Sequence, residues 1–441
     1  MKYLVAFPFK NTQICGVSSL RPFCKTFAAI LSSITFATIS HAEVRCGHQR
    51  PSKQEVVRTT AHLETATFLN QIRDAFKDKY TGYAVIFTGA AGERLGFRRE
   101  GWAIDPCDHT PSNFTLNTES AIGSVTKLFT TVAVLQTAGV SSLDKRFTLY
   151  LPNRWKNDAH AFYDNITLAM LLSHRGGFIK TGSSHISKRL RHGPERDAFE
   201  YFDDMRKYSN TGFGLFHYIL ADAGLRGASF LTLGSTQDIE RRFSDASDNS
   251  YNTAKQDVTS AAYNHAIYSR IFKPLGISAT CDANQPKFPA SNTLRVPPNA
   301  PIEHFRTGNF ARAYSGPSDN DGRFLQSSMR NCASGGLYMS AKDLQAFMTA
   351  LSDPAFLSRT KVDTMINDGP ADEVLGFDVT TVNGVRALFK NGGRGEGGNS
   401  SISLVIRYPS GAHAVFLANS AGDVDFVRRE LIKAYKTAQI D

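Results

Sequence analysis

The first feature of the chain's pattern is an apolar run over residues 27–39, preceded by Lys2, Lys10, Arg21 and Lys25 and followed by Ser40-His-Ala42. A basic start, an apolar core and a small-residue site make up an export leader. Residues 1–42 are read as a signal peptide and residues 43–441 as the mature domain. Residues 56–79 then read as a long helix, and strand-like stretches follow at 83–87 and 92–98. The other end mirrors this. Stretches 376–382 and 385–390 flank Asn383-Gly384, a strong hairpin signal, while 402–408 and 412–419 flank Pro409-Ser-Gly411. A last helix is expected over 424–435. Together these predict an α+β fold, in which one antiparallel sheet is assembled from both chain ends and flanked by the terminal helices. The residues between, about 250 of them, form a mainly helical lobe with loops. Residues 221–254, rich in Ser, Asp, Asn and Gly, read as a loop-rich insertion.

Composition narrows the class. The 441 residues are 41% hydrophobic and 20% charged, which suits a globular protein with a large core. Of the net charge of +10, four positive charges lie in the leader, leaving +6 on the mature chain. No clustered Lys/Arg run with interleaved aromatics accompanies that charge, so nucleic acid is not expected as a partner. Once the leader is removed no membrane span is expected. The mature chain retains Cys46, Cys107, Cys281 and Cys332. Four cysteines in an exported chain imply two disulfides. Three pairings are open, with Cys46–Cys107 and Cys281–Cys332 the one favoured. None of the cysteines has zinc-ligand spacing, and no His-Glu-x-x-His or phosphate-binding glycine loop occurs, so no metal or cofactor is expected.

The candidate chemistry starts at Ser124-Val-Thr-Lys127, with Tyr208-Ser-Asn210 downstream. Positions i and i+3 share a helix face, so the lysine amine comes within reach of the serine oxygen. A partly desolvated lysine beside a tyrosine loses its proton more readily and can serve as a base. Ser-x-x-Lys also occurs at Ser142 to Lys145 and Ser358 to Lys361, so context must choose among the copies. Ser124 opens a segment with Leu128, Val132 and Leu135 at i, i+4 and i+7, the face of a buried helix. Its first turn offers unpaired N–H groups to a developing oxyanion. Ser142 instead lies in a loop and reads as a turn residue.

The order of further landmarks resembles the penicillin-binding proteins and serine β-lactamases, within them the branch of class C β-lactamases, D-stereospecific peptidases and esterases. The landmarks are Ala121-Ile-Gly-Ser124-Val-Thr-Lys127, Leu171-Leu-Ser-His174-Arg-Gly-Gly177, Tyr208-Ser-Asn210, Ile271-Phe-Lys-Pro-Leu-Gly276, and Ser334-Gly-Gly-Leu-Tyr338 with Ala341-Lys-Asp343-Leu344. The resemblance implies Ser124 as nucleophile, Lys127 as its base and Tyr208 as proton shuttle. Asn210 is expected to hold the substrate amide. His174 is expected to lock a loop rather than to act in catalysis.

The family's third motif, Lys-Thr-Gly or His-x-Gly, is where the chain departs. The segment here is Phe389-Lys390-Asn391-Gly392-Gly393-Arg394-Gly395-Glu396. Alignment on the downstream glycine puts Asn391 in the cation's place and Gly393 in the glycine's, while alignment on charge gives Lys390-Asn391-Gly392. With Asn391 there, carboxylate-bearing substrates lose their partner and neutral esters or amides are favoured. Arg394 then restores charge from a neighbouring position, and Gly393 brings a backbone N–H to the oxyanion. The expectation is a periplasmic or secreted serine hydrolase acting on a small molecule or peptide, an ester, an amide or a D-amino-acid peptide. The alternative is a penicillin- or cell-wall-fragment-binding protein on the same fold.

Overall fold

The computed structural model describes residues 44–108, 110–178, 189–191, 193, 207–225, 259–260, 262–281, 310–317, 319, 321–325, 331–367 and 374–440. The expected leader and most of the 221–254 insertion lie outside the described residues.

In chain order the elements that position the site are β1 (Ser52–Val56), α1 (Thr65–Phe76), β2 (Gly82–Thr88), β3 (Arg94–Ile104), β4 (Glu119–Ala121), α2 (Thr126–Thr137), α3 (Asn210–Gly214) and α4 (Phe216–Leu225). They continue with β5 (Tyr338–Ser340), α5 (Ala341–Ala350), β6 (Asp378–Val382), β7 (Val385–Glu396), β8 (Asn399–Arg407), β9 (His413–Ala418) and α6 (Val424–Thr437). The main sheet runs β1-β3-β2-β9-β8-β7-β6 with every neighbour antiparallel. Strands from both chain ends meet where β2 pairs β9, Val415 lying opposite Ile86. The α+β architecture is as expected.

Each sheet face has its own cover, because alternate residues of a strand point to opposite sides. Val85, Phe87, Leu404, Ile406 and Phe416 pack with Phe68, Ile72 and Phe76 of α1 and Val427, Leu431 and Tyr435 of α6. Spacing of four along α1 puts its three residues on one stripe. Phe68 stacks on Phe87 at 4.0 Å between ring centroids and Tyr408 on Tyr435 at 3.9 Å, contacts worth about 0.5–1.5 kcal/mol each beyond their buried area. Asp423 caps α6, its side chain accepting the Asp425 N–H at 2.8 Å. On the opposite face Ala84, Ile86, Leu388, Val405 and Leu417 join a cluster with Leu128, Phe129, Val132 and Leu135 of α2. That cluster seats α2, and so the start of the Ser124 segment, under the sheet.

Two expectations are corrected. The first helix begins at Thr65 rather than 56, because residues 52–56 extend as the edge strand β1, and the N–H groups of Val57 and Arg58 both donate to Leu95 O. The strand expected over 385–390 runs on through the glycine-rich segment to Glu396. β7 stays paired with β8 through Glu396, and the reversal comes at Gly397-Gly398, both at positive φ. The Asn383-Gly384 hairpin forms as expected, with φ of +51° and +77°. Cys46 pairs with Cys107 and Cys281 with Cys332. Among the described residues no helix is long and apolar enough to cross a membrane, and no group of three His, Cys, Asp or Glu is placed to hold a metal ion.

Candidate active site

Ser124 sits in a short 3₁₀ turn, Gly123–Val125, that feeds directly into α2. The turn is pinned from several sides. Ile122 N–H donates to Leu337 O, and the hydroxyls of Ser401 and Ser403 on β8 donate to Ala121 O and Ile122 O at 2.9 and 2.7 Å. Gly123 has φ of +49°, and a Cβ there would lie 2.7 Å from the Gly393 nitrogen and oxygen. Sheet and nucleophile turn are therefore in backbone contact, which only glycine permits.

One helical turn later Lys127 is fully buried. Its Nζ lies 3.0 Å from Ser124 Oγ and 2.7 Å from Asn210 Oδ1, and it also contacts Ser334 O. Two of these partners are carbonyl oxygens, which only accept. An ammonium donates one N–H bond to each of these three oxygens, whereas the neutral amine donates two and leaves a lone pair for the serine hydroxyl. Burial pushes the Lys127 amine well below the usual lysine value, the nearby Lys390 charge pushes it down further, and Asp378 opposes both. The rings of Tyr208 and Phe213 stand 4.8 and 5.4 Å from Nζ.

Tyr208 completes the group, its hydroxyl in a hydrogen bond with Ser124 Oγ. The ring is 39% exposed, so the group faces open space on that side. His174 supports it. Nδ1 of this buried imidazole accepts the Ser209 N–H at 3.1 Å, its carbonyl accepts Lys207 N–H, and its ring lies 4.4 Å from that of Tyr208. Ser209 in turn caps α3 by accepting the Gly212 N–H, which presents Asn210 at the first helical position.

The fourth wall is β7. Lys390 is fully buried on the face of Leu388 and Gly392, with Nζ 3.3 Å from Asp378 Oδ2 and 5.5 Å from the Tyr208 ring centroid. A Cβ on Gly392 would overlap Ile122 O and lie 2.9 Å from the Ser124 nitrogen. Of the two alignments, this face carries Lys390 and Gly392, the pair given by alignment on charge. Asn391 alternates onto the strand face of Phe389, opposite Leu404 of β8. Arg394 is occupied with the chain beside the site, Nη1 donating to Gly335 O at 3.3 Å.

Residues 104–235 of the chain match the family model described as Beta-lactamase. That segment is similar to the β-lactamase family. Solved structures agree at the level of fold. A class C beta-lactamase superposes with a TM-score of 0.57 at 17% identity, covering 86% of this chain and 97% of its own. The class C beta lactamase from Rhodobacter sphaeroides gives 0.52 at 18%, covering 85% and 98%. The octameric penicillin-binding protein homologue from Pyrococcus abyssi gives 0.52 at 17%, covering 82% and 74%. No curated protein matched the chain. The match supports a serine hydrolase- or acyltransferase-like function.

The fold brings together Ser124, Lys127, Tyr208 and Asn210 from two segments more than eighty residues apart. Gly393 and Arg394 lie at the same site by their backbone and side-chain contacts, and Asn391 is set apart from the cation's position. Two contributors escaped sequence reasoning. The Ser334 carbonyl is a backbone atom, although its Ser-Gly-Gly landmark was visible. Asp378 carries no motif and meets Lys390 only because β6 begins one residue short of it, opposite Phe389.

Proposed function

We propose that the protein is an exported serine hydrolase that forms an acyl-enzyme on Ser124 and passes the acyl group to water, acting on an ester, an amide or a D-amino-acid peptide. The observation that supports this most is the coordination of Lys127. Its amine is buried within hydrogen-bond reach of Ser124 Oγ, Asn210 Oδ1 and Ser334 O, so that once neutral its lone pair is placed to take the serine proton. In this reading Lys127 takes the serine proton as Oγ attacks the substrate carbonyl carbon. The oxyanion is met by the N–H groups of Ser124 and Gly393, where the loss of one donor costs on the order of 3 kcal/mol. Tyr208 delivers a proton to the leaving group and later takes one from water. Asn210, its oxygen engaged by Lys127, offers its NH₂ to the substrate amide. Two disulfides fit an oxidising compartment such as the periplasm or the extracellular space.

Intact mass of the mature protein after brief exposure to a fluorophosphonate and, separately, to a penicillin tests the reading, with Ser124→Ala as control. A Ser124-dependent adduct supports it, and the reactive probe separates esterase-like from penicillin-recognising chemistry. No adduct with either probe, or undiminished ester hydrolysis by Ser124→Ala, overturns it in favour of a binding protein.

A further inference from the structure

Inside the site, the motif cation has an acidic partner of its own. Lys390 has no exposed surface, its ammonium lies 3.3 Å from the Asp378 carboxylate, and Asp378 itself is largely buried. The pair stands at the Tyr208 side of the site. Arg394, the next cation along β7, donates to the Gly335 carbonyl.

We propose that Asp378 is a specificity-determining residue, which neutralises Lys390 within the wall of the Ser124 site and thereby selects substrates with an uncharged leaving group. The argument rests on the hydrolase reading above and deepens it. A buried cation attracts a substrate carboxylate only in so far as its charge is uncompensated. Here an incoming carboxylate meets the ammonium and the Asp378 carboxylate together, so the field it feels is that of a dipole rather than of a charge. It must still give up its hydration, a cost that such a pair does not offset. An uncharged ester or amide gives up much less, and the chemistry at Ser124 and Lys127 is equally available to it. The leaving group is the affected part because Lys390 neighbours Tyr208, the residue assigned to protonate it. Asp378 also opposes the influence of Lys390 on the Lys127 amine, so one carboxylate sets both substrate charge preference and base strength. Asp378 touches Lys390 rather than the reacting atoms and acts as a positioning residue.

The test compares kcat/KM for phenyl butyrate and 3-carboxyphenyl butyrate, with Ser124→Ala as blank. In Asp378→Asn the ratio of carboxylated to neutral ester is expected to rise about tenfold, the equivalent of one uncompensated charge at a partly screened distance. The change is expected in KM more than in kcat, a split that loss of structural support does not produce. A second variant, Asp378→Asn/Lys390→Met, exchanges an ion pair for a neutral pair of similar volume, a replacement folds commonly tolerate. Its ratio is expected to stay within about threefold of wild type, since the pair is already neutral in effect. An unchanged ratio in a folded Asp378→Asn overturns the proposal, and so does a tenfold fall in the double variant, which would mean that Lys390 already serves carboxylates. If Asp378→Asn does not fold, the double variant decides alone. Absence of Ser124-dependent hydrolysis of either ester in wild type overturns the hydrolase reading, and this proposal with it.

Discussion

The amide oxygen of Asn210 lies 2.7 Å from the Nζ of Lys127, so the residue expected to grip substrate also holds the amine expected to act as base. With Ser334 O it supplies acceptors for the two N–H bonds of the neutral amine, whose lone pair is then placed to meet Ser124. Asn210→Ala removes one acceptor and is expected to lower kcat about 10- to 100-fold, the range set by a hydrogen bond to a charged or buried polar group. Asn210→Asp keeps the acceptor but adds a negative charge, which stabilises the ammonium and raises the Lys127 pKa. Its kcat/KM–pH profile should therefore show an acid limb moved to higher pH. Profiles of wild type and both variants on one neutral ester check the two expectations together.

Lys390 gives the same argument the opposite sign. After burial, its charge is the next cause that holds Lys127 below the ordinary lysine range, while Asp378 pulls the other way. Activity needs the unprotonated amine, so it falls as pH drops through the depressed pKa. In Lys390→Met the repulsion is gone and the Asp378 attraction is unopposed, so the Lys127 pKa rises and the acid limb moves to higher pH. An acid limb that stays in place in a folded Lys390→Met would show that another group titrates there.

Much of this was legible from local signals. The Asn383-Gly384 hairpin, the terminal helices and the Ser124 segment each announce themselves through turn chemistry or apolar spacing, and all are observed. What misled was tertiary pairing. Residues 56–64 look continuous with α1 until the edge of β3 captures Val56 and its neighbours. The strand is expected to end at Lys390, whereas the glycines beyond it let it continue and press on the Gly123 turn where a Cβ has no room. Choosing between Lys390 and Asn391 depended on which strand face meets Ser124, a matter of register that a one-residue shift inverts. Asp378 is silent in sequence because its partner is set by the edge of a hairpin, not by spacing along a motif.

Away from the site, His413 on β9 links pH to stability. Burial, and after it the charge of Arg407, lowers its pKa from 6.5 to about 4, against a smaller opposing bond from the Gly411 backbone. A depressed folded-state pKa means that the unfolded chain binds the proton first as pH falls. The contribution is fully present above about pH 6.5 and is lost progressively down to about pH 4. The difference between those values corresponds to about 3 kcal/mol when the loss is complete. His413→Leu removes the titrating group from a fully buried strand, together with its contact to Thr349 Oγ1 at 3.4 Å. Urea unfolding at pH 7.5 and at pH 4.5 should show wild type losing about 2–3 kcal/mol more than this variant between the two conditions. Equal losses in the two proteins would show that His413 is protonated in the folded state without cost, and that other groups carry the acid sensitivity.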